Sequence, residues 1–111
     1  MFVHAAGFIR IISGQFVRAI TLYPFVFVRR KTDLQDPLLV NHEKIHLRQQ
    51  AELLVAPFYL LYLLEYLLGR LRGRDHLSAY REISFEREAF AHEADEHYLQ
   101  QRKFGASFRY I

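Results

Sequence analysis

His42, Glu43 and His46, within the run Asn41–His46 (NHEKIH), are the residues whose types and spacing specify chemistry. Side chains four apart on a helix stand one above the other, so His42 and His46 can offer imidazole nitrogens to one ion. Glu43 lies about 100° further round the helix, where its carboxylate reaches a water on that ion without becoming a ligand. Six His and eight Glu in 111 residues make a chance H-E-x-x-H rare, and the pattern points to zinc, one ion per chain. With no Cys, thiolate zinc sites, disulfides and cysteine catalysis are excluded, and a metal site here must be built from His and carboxylate.

A catalytic zinc takes three protein ligands and keeps a fourth position open, so another residue must complete the pair. The carboxylates in contention are Glu65, Glu86, Glu88 and Glu93. Glu65 sits in an apolar run, where a buried carboxylate hydrogen-bonded to Tyr or Arg, or a partner behind a ligating His, is the alternative reading. Helical periodicity puts Glu86, Phe90, Glu93 and His97 on one face and Glu88, His92 and Asp95 on another, so one set alone is expected to look at the H-E-x-x-H helix. As ordinary surface charges, Glu86 and Glu88 would pair with Arg87, Arg81 or Arg102. His92 and His97 read as surface residues, and His4 as local to the N-terminus.

The elements that must position these residues read as α+β, mostly helical. The β-branched and aromatic residues between Gln15 and Lys31 are the strand territory, two runs separated by Pro24, with both faces apolar around Phe25–Val28. Asp33 or Asp36 caps a helix from about Pro37 to Val55, which carries Gln49 and Gln50 one turn beyond His46. Pro57 kinks or restarts it, and the next helix runs through Glu65 to about Gly69. Arg70 to His76 reads as a basic loop, and a last long helix from Ser78 or Ser84 to Lys103 stops at Gly105.

Length places residues 1–111 in one domain, and 51% hydrophobic residues exclude disorder as the main reading. The net charge of +3 comes from dispersed Arg, with no motif for nucleic acid, so that class of partner is not expected. The start of the chain lacks a basic region ahead of an apolar core, which makes the cytoplasm the default compartment. Leu53–Leu68 is apolar or aromatic except for Glu65 and is shorter than the ~20 residues a span needs. A buried core helix is the leading reading, with peripheral membrane contact through Tyr59, Tyr62, Tyr66, Arg70 and Arg72, or a homodimer through the same segment, as the alternatives.

The chain resembles the gluzincin class of zinc metallopeptidases, in which the third ligand is a Glu on a later helix in an E-x-x-A setting, here Glu86, Arg87, Glu88, Ala89. IHLRQQAELL followed by AYREISFEREAF is similar to a family of small bacterial proteins with a minimal HExxH peptidase-like domain, over about Ile20 to Lys103. That resemblance implies a minimal zincin-like fold, a β-hairpin or short sheet packed on the active helix with a later Glu-bearing helix. It implies zinc on His42, His46 and Glu86, Glu43 as catalytic base in peptide-bond hydrolysis, and a peptide or protein substrate along the strand before the active helix. Larger relatives have Asp where this chain has Phe90, and the support that Asp gives a ligating His would pass to Glu88, Glu65 or Asp95. Tyr80, His76 and Arg81 are the candidates to stabilise an oxyanion. The rival functions are a catalytically inactive zinc-binding module that holds peptides and a membrane-peripheral interaction protein.

Overall fold

A computed structural model describes residues 1–7, 9 and 18–111, and the expected strand residues Gln15, Phe16 and Val17 lie outside the described set. Three strands, β1 (Phe2–His4), β2 (Ala19–Leu22) and β3 (Phe25–Val28), form one sheet in the order β1-β3-β2. β2 and β3 are a hairpin turned at Tyr23 and Pro24, with Thr21 opposite Val26, while β1 joins β3 in parallel. β1 was not legible as a strand: three residues are too short for alternation to show, and pairing with β3 is what makes them one. The period-2 pattern of β3 buries one of its two apolar faces, with Val26 and Val28 fully buried and Phe25 39% exposed, and both of its edges are covered, by β1 and β2.

After a 3-10 turn at Lys31–Gln35, α1 spans Pro37–Leu53. Its start is over-determined: Asp36 accepts from the Leu38 and Leu39 amides, and Pro37 occupies the first turn, where its missing N–H costs nothing. Asp33 and Asp36 are both held by the Arg18 guanidinium at 2.7 and 2.9 Å, which ties the strand entry to the helix start.

α2 (Val55–Leu71) follows with no loop, because Leu54 alone makes the turn at φ 68° and ψ 157°, and the two helices meet at 112°. That backbone region suits glycine, so a leucine there is strained, at about 1–3 kcal/mol, and is retained by the packing of both helices. The break falls three residues before Pro57, which sits in the first turn of α2 where proline is tolerated. α3 (His76–Arg81) is capped by Asp75 and α4 (Ser84–His92) by Glu65, whose carboxylate accepts from both the amide and the hydroxyl of Ser84. α5 (Tyr98–Gln101) and a 3-10 turn at Ala106–Tyr110 close the chain.

Two expectations fail here. The last helix starts at Ser84, one of its two expected starts, set off from α3 by a break at Glu82–Ile83, but the expected run to Lys103 is broken after His92; neither break has Gly or Pro. Tertiary contacts accompany both breaks: Ile83 is buried, and the Asn41 side chain on α1 donates to the carbonyls of His92, Glu93 and Asp95 where the helix ends. The buried core helix from Leu53 to Leu68 is also corrected, since α2 fully buries only Phe58 and Gly69. Among the described residues, no single helix is long and apolar enough to cross a membrane.

Candidate metal centre

α1 turns a polar stripe inward. His42, Glu43, His46, Gln49 and Gln50 are all buried, and each therefore needs partners from the elements packed over it. Glu86, on the first turn of α4, supplies the centre: its Oε1 lies 2.9 Å from His42 Nε2 and 3.1 Å from His46 Nε2. Potential ligand atoms of the three residues all lie within 4.8 Å of one another, the only such group of three His, Asp or Glu among the described residues.

What stands behind the rings decides their chemistry. His42 Nδ1 donates to Glu93 Oε2 at 2.7 Å. His46 Nδ1 donates to Gln49 Oε1 at 2.7 Å, and the orientation of that amide is fixed because its nitrogen donates to the Phe85 carbonyl and to Glu88. With both Nδ1 atoms committed as donors, each neutral ring presents a lone pair from Nε2 toward the same carboxylate oxygen. Three lone-pair atoms converging in a buried space repel unless a proton or a cation lies among them.

The ionisation of the metal-free site reports the same demand. Burial works against a charged His46, yet the charge and hydrogen bond of Glu86 outweigh it and raise the ring to about 9. Burial likewise penalises the Glu86 carboxylate, but His46 and His42 hold it well below the ordinary range. Glu43 goes the other way: burial raises it, only partly opposed by His46 and His42. Its Oε2 is 4.0 Å from His42 Nε2, and the Thr21 hydroxyl donates weakly to its Oε1 at 3.4 Å. It stands beside the converging atoms and outside them.

Two tyrosines face the centre. Tyr62 donates to Glu86 Oε2 at 2.5 Å, and burial followed by the Glu86 charge pushes its phenol well up. Tyr80 is held up by burial and then by the charges of Glu86 and Glu43. Of the other oxyanion candidates, His76 pairs with Tyr66 and Arg81 stacks over Phe90 at 4.2 Å, so neither is turned to the centre. Phe90 itself packs edge-on against His42, ring centres 4.5 Å apart.

The remaining carboxylates have other tasks. Glu65 caps α4. Glu88 is directed at Gln49, Tyr98 and Arg102, so it supports His46 at one remove. The expectation that only one face of the Glu-bearing helix meets α1 is corrected: Glu86 and Glu93 reach it through His42, and Glu88 reaches it through the long side chain of Gln49. The support expected from Glu88, Glu65 or Asp95 for a ligating His comes at His42 from Glu93, seven residues after Glu86. His92 is no free surface residue, as it stacks on Tyr98 at 3.8 Å and pairs with Tyr110, and His4 donates to the Arg29 carbonyl.

Asn41, Gln49 and Tyr62 are the participants that sequence reasoning did not assign, while the Arg102–Glu88 pair, expected as a surface contact, is present and buried. Gln49 carried the one usable signal, a polar side chain three residues after His46 on the same face.

Two cavities meet at Glu43, one of about 310 Å³ toward Leu38, Leu77 and Phe90, the other of about 200 Å³ toward Tyr59, Tyr62 and Glu86. Ala19 of β2 and Tyr80 line both. Among the described residues β2 is an edge strand, and its register turns the backbone of Ala19 and Thr21 away from β3 and toward that edge. The Thr21 carbonyl accepts there from Tyr59 and from Gln50, at 2.5 and 2.8 Å.

If the centre holds zinc, replacing Gln49 with Leu, which removes the acceptor behind His46, is expected to weaken binding about 10- to 100-fold, and replacing Glu93 with Gln, which keeps an acceptor behind His42 but removes the carboxylate charge that raises the ring's basicity, to weaken it by less. Competition with a chromophoric chelator measures it, and a change below twofold would show that these partners do not tune the ligands.

Compared with known protein families, with curated proteins and with solved structures, the chain matches none.

Proposed function

We propose that this chain is a zinc-dependent peptidase, with His42, His46 and Glu86 as ligands and Glu43 as general base. The observation that carries the reading is the convergence of His42 Nε2, His46 Nε2 and Glu86 Oε1, with both Nδ1 atoms held from behind and Glu43 beside them. Two neutral imidazoles and one carboxylate are a donor set that suits zinc. A zinc ion bound there supplies Lewis acidity toward water and toward a carbonyl oxygen.

The chain's own residues do the rest. A peptide lies in the cavities beside Glu43, with its backbone against Ala19 at the open edge of β2. Glu43 takes the proton of an attacking water and returns it to the leaving amine. The Tyr80 hydroxyl, kept protonated by burial and two carboxylates, is a donor for developing charge on the substrate oxygen. Tyr62 holds the second oxygen of Glu86, leaving Oε1 for the ion.

Metal content measured on chain purified without an affinity tag tests the site. Near one zinc per chain is expected, lost in His46→Ala and weakened in Glu86→Gln, together with cleavage of an unstructured peptide library. Zinc bound with no cleavage of any library member would leave a zinc-binding peptide module instead, and no zinc taken up at all would remove both.

Zinc uptake also carries a pH signature. His46, raised from 6.5 to about 9, must give up its proton, so affinity rises about tenfold per pH unit toward pH 9. The folded-state value lies above the unfolded one, so this ring's contribution to metal-free stability is complete below pH 6.5 and lost as pH rises through about 9. Calorimetric titration in buffers of different ionisation enthalpy counts the released protons; affinity independent of pH between 6.5 and 8.5 would contradict a protonated His46.

A further inference from the structure

α2 wears its leucines outward. Leu60, Leu63, Leu64, Leu67, Leu68 and Leu71 form one helical stripe and are 42 to 83% exposed. The inward face carries Phe58 with the polar Tyr59, Tyr62, Glu65 and Tyr66. A solvent-facing helix has the reverse arrangement, and a contiguous exposed apolar stripe marks a surface that meets a membrane or another protein.

Charge decides between these. From Ala51 to Arg74 the only acidic residues are Glu52 and Glu65. Both are turned in, Glu52 to Arg102 and the Gly105 amide, Glu65 to Ser84. At the C-terminal end of the stripe Arg70, Arg72 and Arg74 are exposed around Leu71. A second copy packed in parallel would set one arginine cluster on another. Packed antiparallel, it would set each cluster against a helix N-terminus, which is itself the positive end. In either pairing the carboxylate nearest the arginines is the exposed Asp75, one anion for three guanidiniums, so the cluster stays positive. A layer of anionic headgroups over hydrocarbon complements both parts of the face.

We propose that the outward face of α2 docks on an anionic lipid bilayer, the helix lying in the plane of the interface with its leucines among the acyl chains and Arg70, Arg72 and Arg74 on the headgroups. Seventeen residues make a helix about 25 Å long, suited to lying along the surface, and no single helix among the described residues is long and apolar enough to cross it. Lipid docking is independent of the metal centre, so the failure of one reading leaves the other standing.

Co-sedimentation of the full chain with phosphatidylcholine vesicles, with and without phosphatidylserine, tests it. Binding is expected to the phosphatidylserine vesicles, equally with and without zinc, and to be released by salt. Arg70→Gln/Arg72→Gln/Arg74→Gln is expected to weaken it on the order of 100-fold. Leu63→Gln/Leu67→Gln, at positions already exposed, is expected to lose it at least tenfold with an unchanged circular dichroism spectrum. No binding to phosphatidylserine vesicles, or binding that the leucine variant retains, overturns the proposal. A concentration-dependent dimer in sedimentation velocity that the leucine variant abolishes would give the face to a second copy, and overturns it equally.

Discussion

Glu43→Gln is expected to leave zinc bound at about one per chain and to lower peptide hydrolysis by on the order of 10²- to 10⁴-fold. The amide matches the carboxylate in size and can still accept from the Thr21 hydroxyl, so the helix and the ligands on either side keep their positions. What it loses is the capacity to take a proton. Because burial disfavours the Glu43 charge, its removal also relieves a desolvation cost, and the variant's thermal midpoint is expected to equal or exceed the parent's. Turnover of an unstructured peptide, zinc content and a melting curve on the same preparation separate the possibilities. Equal turnover in parent and variant would take Glu43 out of the chemistry, whereas a fall in zinc content alongside activity would make it a ligand.

The centre was legible because its information is local. His42, Glu43 and His46 lie within five residues, and one helical turn brings them together whatever the rest of the chain does. The α1 boundary at Asp36 and Pro37 was readable for the same reason. Glu86 came from a resemblance, since periodicity left four carboxylates in contention. The structure now separates them by partner: rings for Glu86, the back of one ring for Glu93, Gln49 and arginine for Glu88, a helix end for Glu65.

The failures are long-range effects. α4 ends where Asn41, some fifty residues earlier, receives its carbonyls, and no local breaker records that. α2 is inverted because the fold buries tyrosines to reach Glu86 and Thr21, which leaves the leucines on the outside. Composition read as a core helix, although only Phe58 and Gly69 fully earn that place.

Arg102→Met is expected to destabilise the metal-free chain by about 3–5 kcal/mol, a loss of roughly 15 °C in melting temperature for a domain of this size. The Arg102 side chain is fully buried between two carboxylates, with Nε on Glu88 Oε2 and Nη1 on Glu52 Oε2 at 2.5 and 2.6 Å. Methionine fills much of the volume and removes the charge, leaving two buried acids without their counter-ion. An exposed ion pair would cost under about 1 kcal/mol, so the magnitude itself reports burial. The effect should also reach the metal. Glu88 fixes the amide of Gln49, and Gln49 fixes His46, so zinc affinity is expected to fall about tenfold in Arg102→Met even where the chain remains folded. Adding Glu88→Gln to Arg102→Met removes one of the stranded charges, and recovery of part of the lost stability would show the coupling directly. Urea unfolding of the three proteins without metal, followed by zinc competition, distinguishes the outcomes. A destabilisation under 1 kcal/mol would mean that Arg102 does not neutralise a buried pair, and stability loss with unchanged zinc affinity would confine its role to anchoring the C-terminal turn.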